Sequence, residues 1–168
     1  RIITREQLAC MLLPLADPAL RWEGYDDEDC GDALRIAVGN GFLAPENRTG
    51  PEGHVSGAHA EVHAKGHVSG AHAYDHAPRL MPDGHVTRQE MATVAMQACG
   101  VNYRNASSTM PVCADAALVN NNYGTNVARA LYFGFMSLEP DGCFKPRRPV
   151  TIGEAAGILN RVADFAGI

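Results

Sequence analysis

The chain has 168 residues, 46% of them hydrophobic and 20% charged, with a formal net charge of -5. A mildly acidic chain with no Lys/Arg-rich run lacks the basic surface that neutralises phosphates, so nucleic acid is not an expected partner. No apolar run reaches the ~18–20 residues that span a bilayer; the longest, Leu8 to Leu15, is interrupted by Pro14.

Ile3-Thr4-Arg5-Glu6-Gln7 opens the chain as a capping box. The Thr hydroxyl accepts from the amide three residues on, and the Gln side chain reaches back to the Thr amide. Leu8, Met11, Leu12 and Leu15 follow at the spacing of a helix with one buried face. Asp32 to Gly41 reads as a second helix, with Leu34, Ala37 and Val38 on one side and Gly41 as its stop. Phe42-Leu43 forms a short apolar exit.

A loop rich in His, Gly and Ala comes next. All seven histidines fall between residues 54 and 85. Gly53-His54-Val55-Ser56-Gly57-Ala58-His59-Ala60 recurs residue for residue from Gly66 to Ala73, a tandem duplication. His59/His63 and His72/His76 are spaced four apart, which places each pair on one face of either a helix or a strand. Four imidazoles suit tetrahedral zinc, or a copper or nickel site. The same composition also describes a low-complexity loop with no evolved ligand, and the core requires no cofactor.

Val86-Thr87-Arg88-Gln89-Glu90 repeats the capping box, and Met91, Val94, Ala95 and Ala98 repeat the stripe. Asn126 to Gly134 reads as a fourth helix, with the exit Phe135-Met136 and the turn Pro140-Asp141-Gly142 after it. Phe144-Lys145-Pro146 leads to a third box, Val150-Thr151-Ile152-Gly153-Glu154. Its stripe is Ala155, Ile158, Leu159, Val162 and Phe165. The repeating unit is therefore helix, Gly stop, loop, capping box, helix. Residues 1–16 end one unit, 25–100 form a second with an insert at 44–82, and 113–168 form a third. Residues before Arg1 are expected to complete the first.

These segments resemble the S-layer homology family. The carriers are Thr87-Arg88-Gln89-Glu90, the looser Thr4-Arg5-Glu6-Gln7, Phe144-Lys145-Pro146, and Tyr25-Asp26-Asp27 as a diverged repeat start. The resemblance implies a mainly α fold, a pseudo-threefold bundle of helix-loop-helix repeats with the motif helices at its centre. It further implies a secreted, non-catalytic module at the cell surface, which binds anionic, pyruvylated secondary cell-wall polysaccharide in grooves between repeats. The glycan-binding set it implies here is Arg5, Arg88, Glu90 and Gly41. Arginine at a helix start offers a planar fork to a carboxylate, beside amides that also favour anions. The third unit carries Ile152 at the arginine position, so its groove is expected to be inactive. Self-assembly into a surface layer or filament, with copies of the chain as partners, remains open beside the glycan. So does metal capture by the insert.

No G-x-S-x-G elbow, HExxH or Walker loop is present, so the chain is not expected to be an enzyme. The five cysteines, Cys10, Cys30, Cys99, Cys113 and Cys143, form no CxxC pair. They fit a secreted protein with disulfides or a chain with buried thiols. Cys113 starts the third unit and Cys143 precedes Phe144, so the fold could bring these two together.

Overall fold

A computed structural model describes residues 1–16, 30–43, 81–100 and 109–167. Among the described residues the fold is mainly helical. The helices are α1 (Arg5–Ala16), α2 (Cys30–Gly39), α3 (Arg88–Ala98), α4 (Asn121–Tyr132) and α5 (Ile152–Ala166), with a 3-10 turn at Ala116–Leu118.

The three capping boxes form. Thr4 and Gln7 exchange bonds of 3.2 Å in both directions. The Thr87 amide donates to Glu90 at 2.7 Å, and the Thr151 amide donates to Glu154 at 3.0 Å. Each box closes an otherwise unsatisfied helix start.

The residues entering these boxes meet in a closed ring. Ile2 bridges Thr151, Thr4 bridges His85, and Thr87 bridges Pro149. Matching backbone bonds run Arg5 to Gly84 (2.8 Å), Arg88 to Arg148 (3.0 Å) and Ile152 to Arg1 (3.0 Å). Ile3, Val86 and Val150 are fully buried where the three segments converge. This is a pseudo-threefold arrangement, and α1, α3 and α5 descend from it around a shared axis. α1 packs on α2, and α3 packs on α4.

The stripes on α1, α3 and α5 enter the core. Leu8, Leu12, Met91, Val94, Ala95, Ala155, Ile158 and Val162 are almost wholly buried. Phe165 departs from expectation. It is 47% exposed and covers only the edges of Phe133 and Phe135, because it lies in the last turn of α5, beyond the packed centre.

α4 begins before its expected start. Asn120 caps it, its side chain accepting from the Asn122 amide at 3.0 Å. The polar first turn hid this start from a reading based on apolar spacing. Gly41 and Gly134 end the outer helices alike, with φ of 75° and 73°. In each, the residue two further on bonds back into the last turn, Leu43 to Ala37 and Met136 to Ala130, both at 3.2 Å. A left-handed residue after a helix favours glycine at such a position.

The insert also ends earlier than expected. Met81 and Pro82 belong to the repeat. The Pro82 carbonyl accepts from the Glu6 amide at 3.2 Å as the Pro146 carbonyl accepts from Gln89 at 3.1 Å. Gly84 bonds back to Met81 as Arg148 bonds back to Lys145, and Met81 and Lys145 both hold positive φ. Met81-Pro82 is thus the second unit's version of Lys145-Pro146, unrecognised in sequence because no aromatic residue precedes it. Tyr25-Asp26-Asp27 and the rest of the insert lie outside the described residues.

Candidate anion-binding groove

Arg88 starts α3 and crosses to the third unit. Its Nε donates to the Phe144 carbonyl at 2.7 Å and its Nη2 to the Ser137 carbonyl at 2.6 Å. The guanidinium lies over the Phe144 ring, 4.9 Å from its centroid. Nη1 reaches Glu154 at 3.5 Å and Glu139 at 3.6 Å. Arg88 is only 6% exposed. Burial, then the neighbouring Arg148, lower its pKa against the pull of Glu139, Glu154 and Asp115.

Arg148 completes a four-charge cluster. Its Nη2 donates to Glu139 at 2.9 Å and also to Glu154, and its Nη1 bonds the other Glu154 oxygen at 3.1 Å. The Arg148 side-chain bonds hold the Glu154 carboxyl at a pKa of about 2, with Thr151 adding to the effect. Two arginines and two glutamates therefore neutralise one another where α3 meets the third unit.

One wall of the groove is the turn Lys145-Pro146-Arg147-Arg148. Asp115 holds it from behind, accepting from the Phe144 and Lys145 amides at 2.7 Å each. Burial pushes the Asp115 carboxyl up, but the Cys113 thiol and these amides outweigh it and hold it below the ordinary value. A surface cavity of about 270 Å³ is lined by Asp115, Leu118, Lys145, Pro146, Arg147 and Arg148. Lys145 pairs with Asp141 at 2.9 Å, whereas Arg147 is exposed and makes no ion pair among the described residues. The matching turn of the second unit is Met81-Pro82-Asp83-Gly84, with no cation at all.

Each residue expected to bind glycan now has a place. Arg88 is nearly buried against the Phe144 and Ser137 carbonyls and is not among the residues that line the cavity. Arg5 is 3% exposed, and its side chain lies against Gly84. Glu90 accepts from the Thr87 amide and hydroxyl, at 2.7 and 2.6 Å, as the capping residue of α3. Gly41 ends α2. The structure does not gather these four at one point. Sequence reading passed over Glu139, Arg147 and Arg148; the close spacing of Lys145, Arg147 and Arg148 was the available signal. His59, His63, His72 and His76 lie outside the described residues, and the described residues hold no His/Cys/Asp/Glu group arranged for a metal.

Residues 119–156 match the model of the S-layer homology domain. That segment is similar to an S-layer homology domain. The match runs from the start of α4 through the basic turn to the first residues of α5, so it contains one wall of the groove. Comparison with curated proteins and with solved structures finds no match. S-layer homology domains are non-catalytic modules that associate with the cell surface and bind cell-wall polysaccharide. Among the described residues no helix is long and apolar enough to cross a membrane.

Proposed function

We propose that this chain anchors to the cell wall by binding an anionic, pyruvylated polysaccharide in the surface cavity beside the basic turn of its third unit. The observation that carries the reading is the concentration of Lys145, Arg147 and Arg148 on one wall of a surface cavity, inside the S-layer homology match. Arg147 is the cation with capacity to spare for a ligand carboxylate. Arg88 acts by positioning: it holds the Phe144 and Ser137 carbonyls and so fixes the turn. The groove at Arg5 lacks cations on its matching turn and contributes little.

Calorimetry with pyruvylated wall polysaccharide tests this, using the full chain and the double variant Lys145→Ala with Arg147→Ala. Both side chains project from a surface turn, so the variant should fold. Affinity should fall at least tenfold and should weaken with added salt in the parent. Equal affinity in the two proteins sinks the proposal, as does equal binding of polysaccharide stripped of its pyruvate.

A further inference from the structure

We propose that Cys113 and Cys143 form a dithiol/disulfide pair that clamps the basic turn of the third unit. Ala114, next to Cys113, donates its amide to the carbonyl of Gly142, next to Cys143, at 3.1 Å. The Cys113 Sγ lies 2.8 Å from Asp115 Oδ1, and that oxygen lies 2.7 Å from the Phe144 nitrogen, which directly follows the Cys143 carbonyl carbon. The two segments are therefore in contact at the residues flanking both cysteines.

Both backbones are already fixed. The Cys143 amide donates to Asp141 at 3.0 Å and its carbonyl accepts from Glu139 at 2.9 Å, while the Cys113 carbonyl accepts from Ala116 at 3.3 Å. Disulfide closure requires that side-chain rotation, without chain movement, bring the two sulfurs to bonding distance. Cys113 gives up one weak S–H bond to Asp115, and Asp115 keeps its two amide donors. Both thiols are half-buried and unpaired in the structure, within reach of a small oxidant. Cys10 and Cys99 are buried in the core.

In the reaction a disulfide oxidant such as oxidised glutathione accepts two electrons and two protons and leaves as two thiols. One sulfur–sulfur bond forms as the glutathione disulfide breaks. Cell-surface compartments are oxidising enough for the product to persist. Burial, with the neighbouring Asp115 and Asp141, holds both thiols protonated, so closure should be slow at neutral pH and faster in mild alkali.

The test uses the full chain, equilibrated with oxidised glutathione, alkylated without reduction, digested and read by mass spectrometry. A cross-linked peptide containing both Cys113 and Cys143, lost after dithiothreitol, is expected. Alkylation of Cys143 in the native protein should slow at least tenfold on oxidation, and Cys113→Ser should abolish that protection. Recovery of Cys113 and Cys143 alkylated in full, or joined to glutathione or other cysteines, overturns the proposal. The readout is covalent and does not depend on polysaccharide binding.

Discussion

At one junction α1 meets residues 81–84; at the other α3 meets residues 145–148. The backbones match: Arg5 bonds Gly84 at 2.8 Å, and Arg88 bonds Arg148 at 3.0 Å. Side chains separate them. A Cβ at Gly84 would fit only tightly, 3.1 Å from the Arg5 Cδ and from the Met81 carbonyl oxygen. Arg148 instead brings a second guanidinium. Glu90 and Glu154 occupy the same capping position, yet Glu154 also bonds Arg148 and approaches Arg88. The residue three before the capping threonine, Gly84 or Arg148, thus decides whether that unit's capping carboxylate is only a cap or also part of a charge cluster.

Removing Arg88 should break this comparison most severely. Arg88→Ala strands two carbonyls and removes the nearly buried cation of a partly exposed cluster, at a cost of about 3–5 kcal/mol. Thermal unfolding should shift down by roughly 10 °C, and a change under about 2 °C would show that the arginine is a surface cation after all.

Acid should act at the second–third junction through Glu154. Its carboxyl titrates at about 2 in the folded protein, below its ordinary value of 4.5. The unfolded chain therefore takes up the proton first, and acid favours unfolding. The stability is fully present above pH ~4.5 and drains away as pH falls towards ~2, about 2 kcal/mol after allowing for partial exposure. Urea unfolding at several pH values checks this. Glu154→Gln should remove that part of the slope between pH ~5 and ~2.

Arg148→Gly makes the second junction resemble the first. It should cost about 1–2 kcal/mol, since the pair is only partly buried. The Glu154 carboxyl should return towards the ordinary range, visible by NMR titration. An unmoved carboxyl would mean that Thr151 and the helix start, not Arg148, depress it.

Glu90→Gln should cost least, under about 0.5 kcal/mol by urea unfolding, because Gln7 already caps α1 with an amide at the same position. A loss above about 2 kcal/mol would reveal a charge role for Glu90 that the structure lacks.

The insert extends the contrast between units. Gly41 precedes Thr87 by 46 positions, whereas Gly134 precedes Thr151 by 17. Deleting Gly53 to Arg79 keeps Leu80-Met81-Pro82, and loop closure changes by under about 1 kcal/mol. We propose the four insert histidines as zinc, copper or nickel ligands. Calorimetric titration should then show binding in the full chain alone, weakening below pH ~6 as the imidazoles protonate; equal weak binding by the deletion variant reduces them to a loop.

Sequence by itself determined the local structure. Three capping boxes, their apolar stripes and two glycine stops are written within a few residues of one another, where hydrogen bonding and helical period act directly. Its errors arose where those signals are weak: the polar start of α4 at Asn120, and Met81-Pro82 without a preceding aromatic ring. The site was less legible. Whether Arg88 faces solvent or crosses to the third unit depends on Phe144 and Ser137, 56 and 49 positions away. Only the tertiary structure decided which capping glutamate meets an arginine, which turn carries free charge, and which cysteine-bearing segments adjoin. Electrostatic and covalent partners are set by distance in space, and the pseudo-threefold ring, not the chain order, fixes those distances.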